Sequence, residues 1–363
     1  MRRFTRALAT ITLLIVLCSF LSATAVHGEE WKDTMGKTFK GDAVEALGPF
    51  AIFSERPTVG RCLPVQALPL GELARFTVAV KDRAPRAVDW AHATGALTAE
   101  LRGHLEKVEQ QKLVPCLVDA RPEPAVVVVL FLNKEAGDTW KLFWGSMEPM
   151  GKLAQLTPGL IECVGYGVNY RSAGWLDAVK DGSAPWSLVK LDDQPQLKTL
   201  NKFVPLKGYR VVAFNRDGVP LFGAFDPDED AVKEFWKKVA GFVTLLEPAN
   251  PLSWRPRAYL RTAEQIAAHP AGRVEPELIG YAIRPGSLAR QNIRSFDATL
   301  KISADGVVSE ATDLKSETPI PPKLQDAIVT TLRKAVFVPA FEAGQPVACE
   351  YVYRFREESE THL

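Results

Sequence analysis

Phe296-Asp297-Ala298-Thr299-Leu300-Lys301-Ile302 opens the stretch that decides the C-terminal fold, which runs on to Phe355. Apolar residues fall at every second position, the period of a strand with one wet face. Ala304-Asp305-Gly306 is a turn whose glycine tolerates positive φ, and Val308 to Leu314 reads as the returning strand. Leu324, Ile328, Leu332 and Ala335 then recur at helical spacing. A last alternating strand puts Val347, Cys349, Tyr351, Tyr353 and Phe355 on one face. The order is strand, strand, helix, strand.

This block resembles the TonB C-terminal domain. The resemblance is carried by Ile302, Asp305-Gly306 and Val308, by Phe337, Pro339 and Ala340, and by Gly344, Pro346 and Val347. Pro276, Gly280-Tyr281 and Pro285 sit where that family places its lead-in. It implies a ββαβ unit over 274–357 that takes an extended peptide or an envelope protein as an added strand. The expected edge is Pro346 to Phe355, with Glu350, Val352 and Arg354 facing the partner and Phe337 and Phe341 in the core.

Outward from this block, 248–273 holds Pro248, Pro251, Pro256 and Pro270 and reads as a linker. Its extended reach is below about 100 Å, shorter than the arm of a TonB-type transducer. Upstream, Val126 to Leu132 and Leu160 to Val168 are continuous apolar runs, expected as strands buried on both faces. Trp140 to Leu156 can form a helix interrupted at Pro149. Arg210 to Phe222 forms a hairpin turning at Asp217-Gly218. A helix follows, with Asp226 as its N-cap, Glu229 completing a capping box, and Val232, Phe235, Trp236, Val239, Phe242 and Val243 as its apolar face.

That order, with Phe214-Asn215-Arg216-Asp217-Gly218 and Pro220 as its best-matching piece, is similar to a thioredoxin-like fold over 114–247. The stretch Ala136 to Met150, where that family carries Cys-x-x-Cys, has no cysteine, and Gly208-Tyr209 stands in place of the family's proline. Disulfide exchange through a paired low-pKa thiol therefore has no nucleophile there. Gly165-Tyr166-Gly167 lacks the third glycine of a dinucleotide fingerprint and reads as a tight strand exit.

Between Val88 and Val114, Leu97, Leu101, Leu105 and Val108 share one helical face, so 81–113 is expected as a helical connector. His92 and His104 are too far apart on that helix to share a metal ion and read as a solvated face. At 29–80, Trp31-Lys32-Asp33, Gly36-Lys37-Thr38-Phe39 and Gly41 lead into Leu63-Pro64-Val65 and a closing Leu68 to Phe76. These pieces resemble the small SH3-like barrel called the SLA-one homology domain, with Trp31 and Phe39 as core.

The chain begins with Arg2, Arg3 and Arg6 and an uncharged run from Ala7 to about Val26, a secretory signal over 1–28 that ends in Ala23-Thr24-Ala25 or Val26-His27-Gly28. Left uncleaved, residues 7–26 would anchor the chain in the inner membrane. Over 363 residues the net charge is +1, which gives no electrostatic case for nucleic acid or an anionic membrane surface. Once the signal is removed, Cys62, Cys116, Cys163 and Cys349 remain without metal spacing. Secretion permits disulfides and three pairings are open to them; Cys116 and Cys163 both fall in the thioredoxin-like region, but single buried thiols are the default. No catalytic triad motif, cofactor motif or metal motif is found.

The sequence thus predicts a mixed α+β and α/β multi-domain protein: a signal, a small barrel, a thioredoxin-like α/β domain and a TonB-like ββαβ domain. Its expected function is that of a secreted or periplasmic, non-catalytic binding protein. Two alternatives stand beside it. One is a thiol-redox or chaperone-like protein using an isolated cysteine such as Cys163. The other is an anchored TonB-type energy transducer.

Overall fold

The computed structural model describes residues 28–83, 88–135, 154, 157, 159–179, 186–225, 228–247, 249–284 and 286–357. The signal segment, the expected helix over Trp140 to Leu156, the cysteine-free Ala136 to Met150 and Asp226 therefore lie outside the described residues, apart from Ala154. No helix among the described residues is long and apolar enough to cross a membrane.

The first unit is an antiparallel meander of β1 (Glu29–Lys32), β2 (Thr38–Leu47), β3 (Phe50–Arg56) and β4 (Val59–Pro64), paired in that order. Trp31 is buried with its indole N–H donated to the Gly41 carbonyl at 2.8 Å, and Phe53 lies between Trp31 and Phe39. The closing strand expected at Leu68 to Phe76 is instead helix α1 (Leu70–Val80). Leu73, Phe76 and Val80 are buried at helical spacing against Trp31 and Phe53, and that match of period to surface favours the helix over a fifth strand. An open four-stranded meander with a helix across it is what these residues form; an SH3-like barrel is not shown.

The second unit begins with α2 (Ala96–Leu101), which is all that remains of the expected connector helix. Gly103 takes φ +79° and breaks the helix, and Gln110 and Gln111 take positive φ at a hairpin turn. Leu105 and Val108 consequently fall on β5 (Leu105–Glu109), paired with β6 (Lys112–Pro115). Further strands are β7 (Val126–Asn133), β8 (Ile161–Val168), β9 (Ser187–Val189), β10 (Tyr209–Asn215) and β11 (Pro220–Phe225). Their order in one sheet is β11-β10-β7-β8-β9-β5-β6, with β7 parallel to β8 and β10 antiparallel to both β7 and β11. Strands β7 and β8 lie side by side inside the sheet, and every residue of both is buried.

Helices α3 (Ser172–Val179), α4 (Lys198–Asn201) and α5 (Glu229–Leu246) cover the sheet. The N-cap of α5 is Asp228, whose carboxylate accepts the Ala231 N–H at 2.8 Å, two residues beyond the cap expected at Asp226. Gly165 and Gly167 lie inside β8 rather than at its exit. A Cβ on Gly167 would stand 2.8 Å from Trp175 Cε3, so the glycine exists to admit the indole.

The first two units share a core: Val44, Leu47 and Ile52 pack with the strands and α5, and Phe50 stacks on Phe242 at 4.3 Å. A buried ionic clamp joins them as well. Arg216 lies 3.8 Å from Glu45 and 3.6 Å from Glu123, and Asn215 donates to Glu45 at 2.8 Å.

Residues 248–273, expected as a linker, hold an 18-residue helix, α6 (Pro251–Ala268). Asn250 caps it by accepting the Leu252 N–H, and Pro251 occupies the first turn, where a missing N–H costs nothing. Pro256 removes one internal bond. Burial of Ala258, Thr262 and Ala263, the last of them in the core that holds α1, offsets it.

The third unit contains β12 (Arg273–Val274), β13 (Glu277–Leu278), β14 (Ser295–Ile302), β15 (Val308–Lys315), α7 (Pro322–Leu332), β16 (Phe337–Val338), β17 (Ala340–Glu342), β18 (Gln345–Val347) and β19 (Cys349–Arg356). Three strands pair as β15-β14-β19, with Phe296, Ala298, Leu300 and Ile302 buried beneath α7. This is the expected strand-strand-helix-strand arrangement. Gly306 takes φ +79°, and its carbonyl accepts the Phe337 N–H at 3.0 Å, which ties the first hairpin to β16.

Candidate functional site

All four cysteines outside the signal are free thiols, and Cys116 and Cys163 are not bonded to each other. Their surroundings differ sharply. Cys163 faces the core of the second unit, and burial, followed by the neighbouring Glu162 charge, pushes its thiol far up. Burial pushes the Cys62 thiol up to about 12, and it raises that of Cys349 as well. A thiol held protonated is a poor nucleophile, so Cys163 does not suit the role expected of an isolated reactive cysteine.

Cys116 is different. It follows β6, is half-buried, and lies with its Sγ 3.6 Å from Ser187 Oγ and 3.8 Å from Arg121 Nη2. Ser187 in turn donates its hydroxyl to Glu162 Oε1 at 2.6 Å, while Arg121 Nη1 reaches Glu162 Oε2 at 3.1 Å. Three parts of the sheet build this arrangement. Cys116 comes from the end of the β5–β6 hairpin, Glu162 from β8, and Ser187 from the first position of β9. Arg121 arrives from the loop before β7, with its guanidinium over the Trp90 ring at 5.4 Å. The side chain of Glu162 is 12% exposed and that of Arg121 is 43% exposed, so the group opens to solvent at the arginine.

Burial raises the Glu162 carboxyl above its ordinary value against the opposing pull of Arg121 and Ser187. A carboxylate so placed is a stronger base. The order S–H, Ser187 hydroxyl, Glu162 carboxylate is a path along which the thiol proton can leave. Arg121 then supplies a cationic donor to the sulfur.

No local motif marks these residues, since Cys116 and Ser187 are 71 positions apart. One signal was present in the sequence: Glu162 is a single charge inside the apolar run from Leu160 to Val168, where a buried charge requires a partner.

The residues expected to meet a partner, Glu350, Val352 and Arg354, are all exposed on β19, and Val352 is 49% exposed. Among the described residues β19 pairs with β14 alone, so its other edge carries no strand. Phe337 and Phe341 are buried as expected. His104, read as a solvated face, is half-buried with Nδ1 3.0 Å from Asp193 Oδ2. Among the described residues no group of three metal-ligating side chains comes together.

No protein-family model matches the chain, and no curated protein matches it. Several solved structures are similar to part of it. The thioredoxin domain of a thiol-disulfide oxidoreductase from Bacteroides vulgatus matches at 18% identity over 38% of this chain and 91% of its own, with a TM-score of 0.27. A thiol-disulfide oxidoreductase from Bacteroides fragilis matches at 13% identity over 38% of this chain and 98% of its own, also with a TM-score of 0.27. Peroxiredoxin Q from Xanthomonas campestris matches at 11% identity over 43% of this chain and 99% of its own, with a TM-score of 0.30. None of these shows the TonB-like or SH3-like resemblance.

The expectation of a non-catalytic chain is corrected at this point. The proteins it is similar to are named as thiol-disulfide oxidoreductases and a peroxiredoxin, which are enzymes.

Proposed function

We propose that this protein is a single-thiol redox protein of the cell envelope, with Cys116 as its nucleophile. One observation carries the reading: of the four free thiols, Cys116 is the one whose sulfur meets a hydroxyl linked to a buried carboxylate and an arginine. The Cys116 proton passes through Ser187 to Glu162, and the sulfur attacks one sulfur of a substrate disulfide. The substrate S–S bond breaks, a mixed disulfide forms, and the departing thiolate takes the proton back from Glu162. A low-molecular-weight thiol then attacks the mixed disulfide and frees Cys116. Reduction of a small disulfide by the full chain with glutathione tests this. Cys116→Ser abolishes turnover and Cys163→Ser leaves it unchanged; the reverse pattern overturns the assignment.

The C-terminal unit has a second role in this reading. The unpaired edge of β19, with Glu350, Val352 and Arg354 exposed beside it, favours addition of an extended segment of an envelope protein. The charged start and apolar run before Gly28 support secretion or residence in the periplasm. Amide perturbation along residues 346–355 on capture of such a partner supports strand addition, and an unperturbed strand rules it out.

A further inference from the structure

The two edges of the C-terminal sheet β15-β14-β19 are built differently. β15 is irregular: its pairing with β14 shifts register twice, and Asp313 takes φ +51°. Breaks of this kind turn an edge away from further pairing. β19 pairs with β14 from Cys349 to Arg356 in unbroken register, with no proline and no positive-φ residue. Its outer edge is therefore a regular ladder of main-chain groups.

Which groups face outward follows from the end of the strand. The Glu357 N–H donates to the Arg294 carbonyl at 2.7 Å, continuing the pairing of Arg356 with Ser295. Orientation alternates along an antiparallel strand. Phe355, Tyr353 and Tyr351 thus turn their N–H and C=O groups toward β14, as Glu357 turns its N–H. Glu350, Val352 and Arg354 turn theirs to the open edge. The side chains of these three are exposed, on the face opposite the core that holds Tyr353 and Phe355.

Their charges are also unpaired. Lys301 lies across from Glu350 but pairs with Glu310 at 2.7 Å, and Asp297 lies across from Arg354 but pairs with Arg356 at 2.9 Å. Neither Glu350 nor Arg354 makes an ion pair among the described residues. Read along the edge, acid, valine and base at alternate positions are complementary to the same order reversed. Antiparallel pairing of two such strands about a two-fold axis at Val352 sets Glu350 against the partner's Arg354, and Arg354 against the partner's Glu350. The two valines meet on the axis. All of these pairs are of the hydrogen-bonded kind, because the same residues present the outward main-chain groups. An axis at Glu350 or at Arg354 would instead set like charges against each other.

We infer that the strand added at this edge is β19 of a second copy of the chain, joining two three-stranded sheets into one of six strands; this rests on β19 accepting a strand, as proposed above. The test is sedimentation velocity of the full chain over a concentration series. One strand pair is smaller than a standard interface, so the expected result is a reversible, concentration-dependent monomer–dimer equilibrium. Glu350→Arg and Arg354→Glu each weaken dimerisation about tenfold, since each change acts twice across the axis. The double variant carrying both changes restores it. A chain that stays monomeric to millimolar concentration, a dimer indifferent to both single variants, or one that the double variant does not restore overturns the inference. Amide shifts separate this from failure of strand addition itself. A monomeric chain whose amides 346–355 move on capture of a different envelope protein overturns the second copy alone. Amides unmoved both by that protein and by raised chain concentration overturn the two together.

Discussion

The Ser187 hydroxyl donates to Glu162 Oε1 at 2.6 Å while its oxygen stands 3.6 Å from Cys116 Sγ. Ser187 thus sits between a thiol and a base that do not touch each other. Glu162 is buried on a central strand and would be costly to keep there without Ser187 and Arg121. The same two partners that satisfy the carboxylate are the two groups that reach the sulfur.

If Ser187 carries the proton, its removal should disable the thiol while leaving the sulfur in place. In Ser187→Ala the rate of exchange with a small disulfide should fall by about 100-fold, the low end of general-base contributions. Raising the pH should restore much of that loss, because hydroxide then removes the proton directly. A rate equal to wild type at neutral pH would show that Ser187 only fills space.

The clamp between the first two units predicts opposite pH signatures for its two acids. Burial raises the Glu45 carboxyl above its ordinary 4.5, against Arg216 and Asn215. Its favourable contribution is therefore complete below 4.5 and is lost as the pH rises through the raised value. Glu123 is lowered: burial works to raise it, but hydrogen bonds from Thr98, Gly95 and Thr94 together with Arg216 prevail. Its contribution is present above 4.5 and is lost as the pH falls through the lowered value. Relative to wild type, Glu45→Gln should gain in melting temperature from pH 4 to pH 7. Glu123→Gln should lose over the same range, by about 3 kcal/mol at neutral pH, the scale of breaking a buried pair.

Glycines divide in the same way by what stands above them. At Gly167 a Cβ meets three atoms of the Trp175 ring at 2.8 to 3.0 Å, so Gly167→Ala should cost about 1–3 kcal/mol by overpacking. Gly241 lies inside α5 with nothing within 4 Å of its Cβ position, and Gly241→Ala should stabilise the chain by about 1 kcal/mol. Urea denaturation of both variants separates these signs.

How much of this was legible depended on whether the signal was local. The alternation from Phe296 to Ile302 and the apolar runs of β7 and β8 are visible in sequence because burial writes a period into adjacent residues. The spacing of Leu97, Leu101, Leu105 and Val108 fits a helix, yet Gly103 in the left-handed region ends it and Leu105 instead joins β5, paired between β9 and β6. Four prolines made 248–273 look extended, although Pro251 suits a helix start and packing against α1 offsets Pro256. Glu350, Val352 and Arg354 were legible as exposed positions because a strand edge follows from chain order. The Cys116 group was not, since sheet pairing alone brings Arg121, Glu162 and Ser187 to the sulfur.

The claim that Cys116 is the working thiol is tested most directly by timed alkylation of the full chain with iodoacetamide, read at each cysteine by peptide mass spectrometry. Cys116 should be modified roughly tenfold or more faster than Cys62, Cys163 and Cys349, whose thiols burial holds protonated. In Arg121→Gln, Cys116 should lose most of that lead while the other three rates stay unchanged. Modification of Cys163 or Cys349 ahead of Cys116 in the folded chain would contradict the account.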